Sequence, residues 1–124
     1  MVFAVVTAML CLPVGVAQAV IAPLGAYRLP SVGTDVFTAL QTIDAGQTTG
    51  RQTHPGTELG YVLEGEITLS VDGAADKTLK SGDSYMVEDA RVREISASMA
   101  GGVKLLVTYV VARGQIVTTT LPPE

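Results

Sequence analysis

Residues Gly50–Val71 read G-R-Q-T-H-P-G-T-E-L-G-Y-V-L-E-G-E-I-T-L-S-V, and the fold is decided on this stretch. Its end, Glu66-Ile67-Thr68-Leu69-Ser70-Val71, alternates polar and apolar residues without a break, the period of a strand with one buried face. Gly60–Leu63 before it is a second strand, and Glu64-Gly65 between them suits a tight hairpin, because glycine takes a positive φ without a Cβ penalty. The opening residues belong to a segment, Gly46 to Gly56, of Gly, Thr, Gln, Arg, His and Pro, which is loop chemistry. That loop delivers the chain's single histidine, His54, four positions before Glu58. An imidazole and a carboxylate arriving together at the head of a strand have the makings of half a metal site.

Working outward, more strands appear. Val36–Ile43 mixes β-branched and apolar residues and ends at the turn Asp44-Ala45-Gly46. Asp72-Gly73 and Ser81-Gly82-Asp83 bracket a short strand, Lys77–Lys80, and Ser84–Val87 follows. Arg91–Ile95 and Val103–Val111 complete the set, separated by Ala100-Gly101-Gly102. The last strand is nearly all apolar and is expected to run through the core. Short strands, frequent turns and no amphipathic helical period predict an all-β sandwich or barrel.

The 124 residues allow one domain. Met1–Ala19 is uncharged, apolar and ends in Ala17-Gln18-Ala19, the small-x-small pattern of a signal-peptidase site. The basic residue that usually opens such a signal is missing, the first in the chain being Arg28, so the signal is atypical or its start lies upstream. Pro13, Gly15, Gln18 and Pro23 interrupt the apolar run, which argues against a stable membrane span. The expected division is a signal peptide over 1–19, an extended N-terminal arm over 20–35, the β-barrel over 36–114 and a surface tail over 115–124. Localisation is then secreted or periplasmic. The one cysteine, Cys11, falls in the leader, which removes disulfides and thiol nucleophiles from the mature domain. Eight basic and twelve acidic residues, all beyond Ala19, give a net charge of −4 with no basic cluster, so nucleic acid is not an expected partner.

The loop-and-strand pattern resembles the cupin family. That family's first motif runs Gly, five residues, His-x-His, three or four residues, Glu, six residues, Gly. Here Gly46, Gln52-Thr53-His54, Glu58 and Gly65 keep every spacing, with Gln52 at the first histidine. The second motif runs Gly, five residues, Pro-x-Gly, two residues, His, three residues, Asn, and survives in Gly82-Asp83 and its spacing. Counting from Gly82 places Arg93 at the histidine and Ala97 at the asparagine. The likeness is to small secreted bacterial single-domain cupins, through Thr53–Gly65, Leu79–Ser84 and Thr108–Val111, and it implies a single-domain, jelly-roll-like β-barrel.

The resemblance places Gln52, His54, Glu58 and Arg93 where metal-binding cupins have three histidines and a glutamate. Arginine has no lone pair for a metal and sets a positive charge where the cation would sit. At about 4 Å two like charges repel by some 4 kcal/mol even at an effective dielectric near 20. Glu58, buried without a metal, needs another partner, and Arg93 facing it across the barrel is expected to form a bidentate ion pair. If Arg91 and Arg93, two apart on one strand, faced outward, both would be solvated charges. Tyr61, Tyr85 and Tyr109 read as packing residues.

Three functions stay open at this point. One is a non-enzymatic, metal-poor barrel that binds a small molecule, an anionic one if Arg93 holds it, through Gln52, His54, Glu58 and Arg93. The second is a metal-dependent dioxygenase or isomerase using the reduced ligand set Gln52, His54 and Glu58 with Fe, Zn, Mn or Ni. The third is a structural or sensory barrel whose site has decayed. A homodimer is compatible with the apolar Val103–Val111 run, and the resemblance suggests strand exchange as its route. No nucleophile elbow and no phosphate-binding glycine loop is present.

Overall fold

The computed structural model describes residues 19–29, 32–88 and 90–115 and the short strand at 119–120. The expected leader, apart from Ala19, lies outside the described residues. Ten strands form two antiparallel five-stranded sheets: β1 (Val20–Leu29), β2 (Thr34–Ile43), β3 (Gln52–Thr53), β4 (Gly56–Glu64), β5 (Glu66–Val71), β6 (Lys77–Lys80), β7 (Ser84–Val87), β8 (Arg93–Ala97), β9 (Val103–Ala112) and β10 (Thr119–Thr120). The first sheet runs β1-β2-β9-β4-β7 and the second β10-β3-β8-β5-β6. They face each other as a jelly-roll barrel.

The interior follows from the period of two. From the first sheet Ile43, Val62, Leu105 and Val107 point inward, and from the second Ile67 and Ile95; all are within about one per cent of full burial. Gly65 turns β4 into β5 at φ 88°, and a Cβ there would meet the Gly102 carbonyl at 2.5 Å. Glycine is therefore required twice over, by conformation and by space.

Three segments differ from the sequence-based expectation. The arm expected over 20–35 is a paired strand: β1 lies along β2 from Val20↔Thr42 to Leu29↔Thr34. Its Pro23 and Gly25 read as breakers, yet β1 is an edge strand, where a missing N–H is tolerated, and the register shifts between those two residues. The loop over 46–56 contains β3, whose Gln52 pairs with Arg93, and a bridge from Thr48 to Ser96. The tail over 115–124 is not wholly free of the sheets, because Thr119–Thr120 pairs with β3.

The outer faces of the two sheets are unlike. On the second sheet the outward positions are Glu66, Thr68 and Ser70 of β5, Thr78 and Lys80 of β6, and Glu94 and Ser96 of β8. On the first they include Leu59 and Tyr61 of β4, Met86 of β7, Leu106 and Val110 of β9, and Val36 and Leu40 of β2.

Candidate functional site

The register brings the four singled-out residues toward one end of the barrel interior. β3 sets Gln52 opposite Arg93 of β8, and the chain then turns His54 inward. β4 carries Glu58 on its inner face, between Val87 of β7 and Tyr109 of β9. Glu58 and Arg93 have no exposed surface, and His54 is 3% exposed. The outward alternative for Arg93 is thereby removed: β8 begins at Arg93, whereas Arg91 precedes it and donates from Nη2 to the Asp72 carbonyl at 2.7 Å.

Glu58 is the hub. Its Oε1 accepts from Arg93 Nε at 2.9 Å, and His54 Nε2 stands 2.9 Å from the same oxygen. Its Oε2 accepts from the Tyr85 hydroxyl at 2.5 Å. Arg93 Nη1 donates to Thr49 Oγ1 at 3.0 Å, which also accepts the Ile95 N–H and donates to the Gly50 carbonyl. The expected bidentate Glu58–Arg93 pair is instead a contact through Nε, because Tyr85 holds the second carboxylate oxygen. Nη2 of the guanidinium is buried without a hydrogen-bond partner.

The carboxylate's environment sets its charge. Burial alone would raise the Glu58 pKa; the Arg93 guanidinium, the His54 hydrogen bond and charge and the Tyr85 hydroxyl together outweigh it and bring it from 4.5 to about 2. Burial, reinforced by the negative charge of Glu58, pushes the Tyr85 hydroxyl well above its ordinary value. Tyr109 is raised by the same two causes, with Arg93 opposing. Burial acts to lower the Arg93 pKa, but Glu58 reverses this and the guanidinium stays charged. The site is thus a buried, paired anion and cation clasped by neutral hydroxyls.

The family's sequence pattern, described as the Cupin domain, matches residues 39–109. The chain belongs to the cupin family. Among solved structures it is similar to a cupin superfamily protein from Desulfitobacterium hafniense, at 20% identity over 76% of this chain and 78% of that one, with a TM-score of 0.64. A cupin-like protein from Thermotoga maritima shares 17% identity over 86% and 77% of the two chains, with a TM-score of 0.68. An oxalate oxidase bound to glycolate shares 14% identity, covering 86% of this chain and 56% of that one, with a TM-score of 0.69. Likenesses at this identity carry the fold alone. Among curated proteins, the HTH-type transcriptional regulator PuuR of Escherichia coli is 42% identical over 62 residues, 49% of this chain. The chain spans a third of that regulator's length.

Within this cupin the metal question turns on the donor set. Both Glu58 oxygens are engaged by protein donors, the ring nitrogen of His54 faces the carboxylate, and a guanidinium lies against it. A divalent cation would have to displace a full positive charge to reach Glu58, so these residues as arranged do not fit one. Gln52 Oε1, the remaining expected ligand, is buried and unpartnered opposite Arg93.

Tyr85, Tyr109 and Thr49 were not legible as site residues. Tyr85 reaches Glu58 because its register partner is Gly60, where a Cβ would sit 2.0 Å from the tyrosine ring. Tyr109 stacks obliquely on His54, with ring centroids 4.8 Å apart and planes at 51°. The alternation of Ser84-Tyr85-Met86-Val87 and the glycine facing it held the signal for Tyr85. Tyr61, read as a packing residue, points outward and is 43% exposed.

Proposed function

We propose that this cupin is a secreted or periplasmic barrel that binds a small anionic molecule, with the Arg93 guanidinium in place of a metal. One observation carries the reading: Gln52 Oε1 is buried without a hydrogen-bond partner, and Arg93 Nη2 and the Tyr109 hydroxyl are buried with no partner beyond a loose contact between the Arg93 and Tyr109 side chains. Burial of such groups costs about 1–3 kcal/mol each, and an occupant with a carboxylate and a hydroxyl would recover much of it. Glu58, already saturated, would hold Arg93 in place rather than meet the ligand.

β6 and β7 are edge strands of the two sheets. There a groove of about 160 Å³ is lined by Leu69, Val71, Lys77, Met86, Val87 and Arg91, among others. Val71 and Val87 are the register partners of Arg93 and Glu58, and Lys77 and Arg91 line the groove together with Glu88.

The test is thermal unfolding with acetate, lactate and succinate. A bound acid at about 100 Kd adds roughly 2.7 kcal/mol and raises Tm by several degrees. The rise is expected to vanish in Tyr109→Phe and Arg93→Lys while the fold survives. If none of the acids moves Tm, or if both variants respond like the parent, the anion-binding reading fails.

A further inference from the structure

We infer that Thr49 sets the anion selectivity of the polar end. It occupies one corner of the Arg93 guanidinium, so an anion is gripped by a single nitrogen, and tetrahedral sulfonates are accepted as readily as planar carboxylates. The inference rests on the anion-binding reading above and names the ligand class that reading leaves open.

Thr49 has one way to present its oxygen. A hydroxyl offers one donor and two acceptor lone pairs. The Thr49 proton goes to the Gly50 carbonyl at 2.8 Å, and the lone pairs take the Ile95 N–H at 3.1 Å and Arg93 Nη1 at 3.0 Å. The hydroxyl is therefore saturated, and toward Arg93 it acts only as an acceptor. The backbone fixes its place as well: the Thr49 N–H donates to the Ile95 carbonyl at 2.9 Å, which ties the loop to β8 two residues beyond Arg93.

A guanidinium grips a carboxylate with two nitrogens along either of two edges, Nε–Nη2 or Nη1–Nη2. In Arg93 the first edge has Nε on Glu58 Oε1 at 2.9 Å, and the second has Nη1 on Thr49. Both edges share Nη2, which is buried with no partner beyond the loose contact between the Arg93 and Tyr109 side chains. Glu58 cannot leave the first edge without stranding its own charge, so Thr49 is what closes the guanidinium to a two-nitrogen grip. An incoming anion meets Nη2 and, from β9, the Tyr109 hydroxyl. The parallel N–H bonds of a fork demand coplanar oxygens, whereas two donors on separate side chains impose no plane. Gln52 Oε1, an acceptor buried without a partner, adds a place for a hydroxyl of the same molecule. The class is short hydroxy acids carrying one negative charge, sulfonic as well as carboxylic.

Thermal unfolding of the full chain in sodium acetate and sodium methanesulfonate, at matched ionic strength, tests this by giving a dissociation constant for each anion. In the parent and in Thr49→Ser the two constants are expected to lie within about threefold of each other. In Thr49→Val the Nη1–Nη2 edge is open to both carboxylate oxygens, and acetate should be favoured by roughly tenfold or more, the worth of one added bond to a charged group. A lower Tm in that variant would also follow from the stranded Ile95 N–H; the ratio of the two constants is what a purely structural role leaves unmoved. Thr49→Ala answers in its place if Thr49→Val loses its β-sheet circular dichroism. A parent that binds acetate about tenfold more tightly than methanesulfonate overturns the inference and leaves the anion-binding reading standing. So does a folded Thr49→Val chain with the parent's ratio. A parent that binds neither anion removes the reading and the inference together.

Discussion

At one end of the barrel interior Val62, Ile67, Ile95 and Leu105 fill the space between the sheets; further along the same strands Glu58, Arg93 and Tyr109 occupy the equivalent inward positions. Burial is nearly complete at both ends. At the apolar end any side chain of suitable volume serves, and stability comes from area removed from water. At the polar end each group depends on a particular neighbour, and loss of one leaves another stranded in a dry environment. Gln41 is the exception at the apolar end, buried opposite Leu105 with its Oε1 unpartnered. The contrast teaches that the strands hold the fold along their whole length, while the matched charges are confined to one end.

The comparison can be broken most forcefully at Arg93. Arg93→Ala leaves the Glu58 carboxylate buried and unpaired, at a cost of about 3–5 kcal/mol. Leu105→Ala, at the apolar end, costs about 2–5 kcal/mol through lost transfer energy and a cavity. Adding Glu58→Gln should recover most of the Arg93→Ala loss and none of the Leu105→Ala loss. Urea unfolding of the four variants measures both, and equal responses would mean that the two ends are not energetically distinct.

Acid gives the next largest effect. The Glu58 pKa is depressed from 4.5 to about 2 in the folded protein, so its contribution is fully present above about pH 4.5 and is lost as pH falls toward 2. The loss is on the order of 3 kcal/mol, with a slope of at most about 1.4 kcal/mol per pH unit. Glu58→Gln should remove that part of the acid limb, whereas Leu105→Ala should shift the whole curve without changing its shape. A parent and a Glu58→Gln variant with superimposable pH profiles would count against the pairing.

How much of this was readable beforehand differs between the ends in the same way. Strict alternation over Glu66–Val71 and turns at Gly65, Asp72-Gly73 and Gly82 marked β5, β6 and β7 at their observed limits, because period and turn chemistry are local. β1 was hidden by Pro23 and Gly25, which only its edge position makes tolerable. At the polar end the resemblance to the two cupin motifs pointed to the meeting of His54, Glu58 and Arg93. The roles of Tyr85 and Tyr109 depend on which residue each faces across the sheet, and that register is not a local property.

The smallest effects sharpen the comparison within the polar end. Gly60→Ala places a methyl group 2.0 Å from the Tyr85 ring and should push its hydroxyl off Glu58, at about 1–3 kcal/mol. Tyr85→Phe removes the same hydrogen bond without displacement and should cost about 1–2 kcal/mol. If Tyr85→Phe proves neutral in thermal unfolding, the Tyr85–Glu58 bond contributes nothing.

The central claim is that Arg93 fills the place of a metal at Glu58. Elemental analysis of the chain, purified without chelator and then exposed to iron, zinc, manganese or nickel, reads this directly. The account predicts well below ~0.1 metal per chain, since a cation would have to displace the guanidinium, and a marked gain in Arg93→His, where an imidazole lone pair returns. Close to one metal per parent chain, abolished by His54→Ala, would contradict it.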